Sequence, residues 1–195
     1  MTPTVTALRE RKRSRVAVEI DGRPWRVLPA DAVVRAGLAV GRGLDRPTAR
    51  ELGRELRRAN ALSAATRSLA AGDRSQRALE ERLTRAGHSA AAREAALATL
   101  GSAGLVDDAR LAENRAALLA RRGYGDAAIR ADLRRRMIAS EAADDAVAGL
   151  DPEVDRAREV LRGETVTQAV LRRLAGRGFS RDTLEEVAAS FAHEA

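Results

Sequence analysis

The residues in this 195-residue chain whose types and spacing suit them to chemistry are arginines. Arg130, Arg134 and Arg135 fall on the back of the segment DAAIRADLRRRMI, opposite Ile129 and Leu133. Arg121 and Arg122 precede the turn Gly123-Tyr124-Gly125, Arg136 closes the segment, and a second cluster stands at Arg172, Arg173 and Arg177. A guanidinium keeps its charge at any ordinary pH and holds carboxylates or phosphates through paired N–H donors. The chemistry on offer is therefore anion recognition.

Bond-making machinery is scarce by comparison. The chain has two His and no Cys. Asp107-Asp108 lacks further ligands at matching spacing, and helix capping explains it better than a metal does. Asp144-Asp145 reads as an exposed helix pair, and His88 as a packed or boundary residue. Gly101–Gly104 and Gly123–Gly125 lack the Lys and Ser/Thr of a phosphate-binding loop. The expectation is a protein that is not an enzyme, with no catalytic residue, no metal and no cofactor.

Composition agrees with that expectation. Hydrophobic residues make up 45% of the chain and aromatics 2%, the balance of helix-on-helix packing. A net charge of +7, carried almost wholly by arginine with Lys12 the one lysine, favours nucleic acid or an acidic protein surface. Arginine over lysine is uninformative by itself, because codon bias produces it too. Absence of Cys suits a reducing compartment. No apolar run approaches the roughly 20 residues of a bilayer span, and the N-terminus lacks the apolar centre of a secretory signal. A cytoplasmic monomer without membrane contact is expected.

The elements that must position the arginines follow from periodicity. Residues 1–14 show no apolar period and read as a solvated basic leader, with a phosphate-seeking arm as the alternative. Val16, Val18 and Ile20 alternate, Asp21-Gly22 supplies a type I′ turn, and Trp25 and Val27 return, which predicts a β-hairpin. A two-residue turn would set Val18 opposite Trp25 and Val16 opposite Val27, with Trp25 as a packing residue. A short helix follows around 30–36, and Asp45 with Pro47 marks the next helix start. From Thr48 the pattern stays helical.

The breaks in that pattern repeat. Leu79, Leu83, Gly87, His88, Ser89, Leu97 and Leu100 correspond to Ile129, Leu133, Met137, Ile138, Ala139, Val147 and Leu150. They correspond again to Val170, Leu174, Gly178, Phe179, Ser180, Ala188 and Phe191. A period of about 40–50 residues of this kind marks a helical array. Each unit reads as three helices: 50–71, 75–86 and 89–101; 107–121, 125–136 and 139–149; 153–162, 165–175 and 180–192. Asp107 is a predicted N-cap, flanked by Val106 and Leu111 as a hydrophobic staple, and Ser89 and Ser180 are further caps. Leu111, Leu118 and Leu119 are expected to share an inward face. The fold class is all-α: tandem three-helix repeats in an elongated curved array, with a small N-terminal β-hairpin. Its expected divisions are 1–46 (leader, hairpin and short helix), 47–103, 104–150 and 151–195.

Comparison of the copies sharpens the site. Where the middle unit has Arg130, Arg134 and Arg135, the first has Glu80, Thr84 and Arg85, and the third has Leu171, Ala175 and Gly176. Units with one core pattern and different exteriors share a fold and divide the surface tasks. The candidate contact residues are Arg121, Arg122, Tyr124, Arg130, Arg134, Arg135, Arg136, Arg172, Arg173 and Arg177. A plain solvated face, or arginines that only favour a helix C-terminus, is the competing explanation.

Arg74-Ser75 through Leu79, Leu83 and Gly87, then GLVDDARLAE at 104–113 and RRGYGDAAIRADLRRRMI at 121–138, resembles the RecX family of recombinase regulators. The likeness covers about 15–190 and is most specific over 74–138. It implies three tandem three-helix repeats and no catalytic activity. It also implies binding in the groove of RecA recombinase filaments on DNA, with restrained filament growth, ATP hydrolysis and strand exchange. This chain departs from the family pattern at Met137, where a glycine is usual and a differently formed turn is expected, and at Tyr124, in a turn that is often more basic. Apart from the resemblance, turn-linked three-helix units also fit a direct DNA-binding protein of helix-turn-helix type, with single- or double-stranded DNA as partner.

Overall fold

The computed structural model describes residues 2–192, the side chains of 191 and 192 excepted. The element order is β1 Val5–Arg11, β2 Arg15–Ile20, β3 Arg23–Pro29, α1 Ala30–Arg35, α2 Arg46–Ala70, α3 Gln76–Arg85, α4 Ala90–Ser102, α5 Asp108–Arg121, α6 Asp126–Arg135, α7 Ser140–Ala148, α8 Glu153–Val160, α9 Gln168–Gly176 and α10 Arg181–Ala192. The fold is mostly helical with a small N-terminal antiparallel sheet, and no described helix is long and apolar enough to cross a membrane. The chain divides into two compact units. Among the described residues, one holds 2–72 with Leu79–Leu105; the other holds Asp73–Ala78 with 106–192.

In the first unit the sheet has three strands, in the order β1-β2-β3, where a two-stranded hairpin was expected. The supposed leader is strand β1. Its Val5 is buried, and the Val5 N–H donates to the Arg42 carbonyl at 3.0 Å while Gly41 N–H donates to the Val5 carbonyl at 2.8 Å. Two features hide this strand from pattern reading. A bulge between Val5 and Ala7 breaks the alternation, and the following turn places Arg13 and Ser14 at φ 62° and 51° without the Gly or Asn that signals such a turn.

The second hairpin also corrects the expected register. Asp21-Gly22 does turn with positive φ at both residues, but a bulge after Val18 inserts one extra residue. Val18 then faces Arg26 and Val16 faces Leu28. Leu28 therefore joins Val16 and Val18 in the core, and Trp25 and Val27 are left 39% and 47% exposed. Below the sheet, α2 begins where Asp45 accepts the Thr48 N–H at 2.8 Å. Ala61, Ala65, Ala92 and Ala96 are all buried, small side chains that let α2 and α4 approach closely. Ser89 makes no cap hydrogen bond, contrary to expectation.

In the second unit, α5–α7 bury Ala112, Ala116, Leu119, Ile129, Leu133, Ile138 and Val147, and α8–α10 bury Ala157, Leu161, Leu174, Phe179 and Val187. The repeat positions Leu83, Leu133 and Leu174 are buried in all three copies. Leu118, expected on the inward face of α5, is 38% exposed; alanines take its place inside. Phe191 of the repeat comparison lies outside the described side chains. Asp107 accepts the Arg110 N–H at 2.9 Å and Ser180 the Thr183 N–H at 3.3 Å, so both serve as the expected caps.

The turn after α6 forms as it does in the other copies, despite Met137. Ile138 N–H donates to the Leu133 carbonyl as His88 does to Leu83 and Phe179 to Leu174. Met137 adopts φ 60° beside 79° and 84° for Gly87 and Gly178. The three-helix geometry imposes the left-handed residue, and methionine carries the strain.

Two substitutions separate space from conformation. A Cβ on Gly125 would overlap the backbone of Gly178 and Phe179, so Gly125→Ala should lower stability by about 3 kcal/mol or more in denaturant titrations. Gly176 lies in α9 with nothing near its Cβ direction, so Gly176→Ala should raise stability by about 0.5–1 kcal/mol.

Candidate interaction surface

The arginine-bearing helix α6 is held at its start by the first residue of α8 and by the turn after α9. The first N–H groups of any helix lack intrahelical partners. Here Asp126 N–H donates to Glu153 Oε1 at 2.6 Å, while Gly125 and Ala127 N–H donate to the carbonyls of Arg177 and Gly178 at 2.9 and 3.1 Å. Glu153 Oε2 also accepts from Ser180 N–H at 3.0 Å and from the Thr183 hydroxyl at 2.8 Å. Burial pushes the Glu153 carboxyl up, but these donors together outweigh it and hold its pKa below the ordinary value.

The same joint recurs one repeat earlier. Gln76 N–H at the start of α3 donates to Asp108 Oδ1 at 2.8 Å, and the Ser75 hydroxyl donates to the Arg136 carbonyl at 2.6 Å. Ser75 and Gly125 are equivalent positions, as are Arg136 and Arg177. Asp108 and Glu153 each open the first helix of the next repeat.

On the body of α6 the charge is heavily cross-linked. Asp132, 15% exposed at its side chain, receives Arg115 Nε at 2.7 Å and Arg115 Nη2 at 3.2 Å, together with Arg136 at 3.0 Å and Arg135 at 3.3 Å. Hydrogen bonds from Arg115 lead the causes that hold Asp132 far below the ordinary carboxylate range; desolvation opposes them, and Arg136 adds to them. Arg130 reaches Asp144 at 2.7 Å and Asp126 at 3.6 Å. The three arginines expected on the back of this helix as open contact residues are thus corrected. Arg130 and Arg135 engage carboxylates of their own chain, and Arg134 alone of the three projects without one among the described residues.

The remaining candidates divide the same way. Arg173 pairs with Glu164 at 2.6 Å, and Arg172 donates to the Gln168 carbonyl at 3.2 Å. Arg121 and Arg122 are exposed and have no carboxylate partner among the described residues. Arg121 lines an open groove of about 690 Å³ beside α8. The Arg177 guanidinium lies against Gly123, next to Arg122 and the 39%-exposed Tyr124. Folding therefore brings Arg121, Arg122, Tyr124 and Arg177 into one neighbourhood, although 52 residues separate Gly125 from Arg177, whose carbonyl accepts its N–H. Sequence reasoning missed Arg156, which pairs with Asp126 and donates to the Tyr124 carbonyl at 3.1 Å, along with Arg115, Asp132 and Glu153. Only the Asp132–Arg135 and Asp132–Arg136 spacings of three and four residues were readable signals.

Fold and surface together define a helical-repeat protein with a basic face on which some arginines are neutralised and others left open; among the described residues no group of His, Cys, Asp and Glu is placed to hold a metal ion. Residues 107–147 match the second three-helix domain of RecX. Regulatory protein RecX of Acidithiobacillus ferrooxidans is 34% identical over 142 residues, covering 67% of this chain and 89% of that protein. Regulatory protein RecX of Stenotrophomonas maltophilia is 36% identical over 122 residues, covering 57% and 75%. A crystal structure of regulatory protein RecX superposes with a TM-score of 0.80 at 20% identity, over 96% of this chain and 99% of that one. RecX from Lactobacillus salivarius superposes at 0.61 and 16% identity, over 70% and 97%. The chain belongs to the RecX family of regulatory proteins.

Asp132 gives a pH-dependent test. Its pKa is depressed in the folded state, so its contribution is complete above the unfolded value of about 4 and is lost as pH falls below that. Asp132→Asn should cost about 2 kcal/mol at neutral pH, and its stability should fall less steeply than wild type between about pH 5 and pH 3. Urea titrations at stepped pH measure both.

Proposed function

We propose that this chain is a non-enzymatic regulator that binds RecA-type recombinase filaments on DNA. In this reading it restrains filament extension, ATP hydrolysis and strand exchange, acting in the cytoplasm as a monomer built of the repeats 47–103, 104–150 and 151–195. One observation carries the reading: the motifs that mark the family are the ones that build the joints around α6, and the cationic neighbourhood of Arg121, Arg122, Tyr124 and Arg177 stands beside that joint. Permanent cations without carboxylate partners favour acidic filament surface or DNA phosphate. Arg134 adds to the open set, whereas Arg130, Arg135, Arg136 and Arg173 already spend much of their field on Asp144, Asp132 and Glu164.

Direct DNA binding is the second reading, favoured by the same open arginines beside a turn-linked helix pair. Binding to a naked oligonucleotide that is unchanged by added recombinase and is lost when Arg121, Arg122 and Arg134 are replaced by Glu would support it over the first.

The test is a DNA-dependent ATPase assay of RecA on single-stranded DNA. Stoichiometric protein should suppress hydrolysis. The combined Arg121→Glu, Arg122→Glu and Arg134→Glu variant should need about tenfold more protein for the same suppression, with stability changed by only about 0.5 kcal/mol. No effect of the wild-type protein on hydrolysis would overturn the proposal.

A further inference from the structure

The N-terminal sheet carries a surface that the regulator reading does not use. Between Val5 and Pro29 stand seven basic residues (Arg9, Arg11, Lys12, Arg13, Arg15, Arg23, Arg26) and three acidic ones (Glu10, Glu19, Asp21), a net +4 in a chain whose total is +7. Strand pairing sets Arg9, Ala17 and Val27 abreast, and Arg11, Arg15 and Pro29 abreast beside them. The neighbouring row Leu8, Val18 and Arg26 begins the face that packs on the core through Val5, Val16, Val18 and Leu28. Because successive residues alternate across a sheet, the row of Arg9, Ala17 and Val27 looks away from the core.

Three properties of the exposed surface of this sheet point to one class of ligand. Its middle strand contributes a small residue, Ala17, so the floor is low between the arginines. The bulge leaves Trp25 39% exposed, with the Arg26 guanidinium 5.5 Å from its ring centroid. The charge is mostly unspent: Arg9 pairs with Glu19 at 3.3 Å, but Arg11, Lys12, Arg13 and Arg23 are exposed without a carboxylate partner among the described residues. A part-exposed indole that carries one guanidinium at its ring, with further cations along the sheet, suits a strand whose bases are free to stack while its phosphates are neutralised. A duplex hides its base faces and would leave the indole unused. From Trp25 to the β1–β2 turn is roughly 15–20 Å by strand geometry, room for about three nucleotides.

We infer that the exposed surface of the three-stranded sheet binds single-stranded nucleic acid, with a base stacked on the exposed part of Trp25 at the β3 edge and the phosphate backbone running toward Arg11, Lys12 and Arg13. This site lies in the other compact unit from α6 and involves no recombinase, so it stands or falls separately from the regulator reading.

Trp25 is the one tryptophan of the chain, which makes its fluorescence a site-specific probe. Titration of the full-length protein with oligo(dT) should quench it. Anisotropy of labelled oligo(dT) should show Trp25→Ala weakening binding by about tenfold or more, with Trp25→Phe recovering most of the loss. Arg11→Glu with Arg13→Glu should weaken binding and reduce the slope of log affinity against log salt by about 1–2. Circular dichroism melts of each variant verify that the sheet is intact. The inference is overturned if oligo(dT) does not bind, or if it binds with no change in Trp25 fluorescence and no effect of Trp25→Ala. It is equally overturned if a duplex, or vesicles of anionic phospholipid, quench Trp25 as strongly as oligo(dT) does.

Discussion

A helix opens with N–H groups that point at nothing, and in this protein the second helix of one repeat has them satisfied by the repeat that follows. Asp108 does this for α3 and Glu153 for α6. The chain supplies a carboxylate at the first turn of each incoming unit, where it also complements that unit's own helix dipole. One acidic residue therefore stabilises two helix starts at once. Around it, the carbonyl before each left-handed turn residue accepts from Ser75 in one joint and from the Gly125 N–H in the next. The absence of a side chain at Gly125 lets two backbones touch where Ser75 needs a hydroxyl to span the gap.

That joint also decides what is left for function. Holding α6 in place requires Asp126 and Asp132 to be desolvated in part, and partly buried carboxylates demand cations. Arg115 and Arg156 meet that demand from inside, with Arg130, Arg135 and Arg136 at the margin. The positive charge of the chain thus has two populations. One is internal wiring for a helix stack with little aromatic bulk to hold it together. The other, at Arg121, Arg122, Arg134 and at Arg11, Lys12, Arg13 and Arg23 of the N-terminal sheet, is exposed without a carboxylate partner among the described residues.

What was legible in the sequence was the recurring core of the second helices and the local caps and turns. Leu83, Leu133 and Leu174 recur at fixed spacing and are buried alike, because a helix face repeats every three to four residues whatever lies beyond it. Asp45, Asp107 and Ser180 cap as read, since a cap depends on three neighbouring residues only. The type I′ turn at Asp21-Gly22 followed from equally local chemistry.

Tertiary structure alone decided the rest, for the physical reason that each remaining feature depends on groups distant in the chain. Strand β1 exists because Val5 finds Arg42 and Gly41, and nothing within residues 1–14 announces it. A single bulged residue exchanged Val27 for Leu28 in the core and turned Trp25 outward. Met137 keeps a glycine's conformation because the repeat geometry leaves no other turn. Arginine spacing along α6 showed which side chains leave the core, but Coulomb attraction acts through space, and Asp144 and Arg115 arrive from other helices. Which arginines are free was therefore settled only when those helices came together.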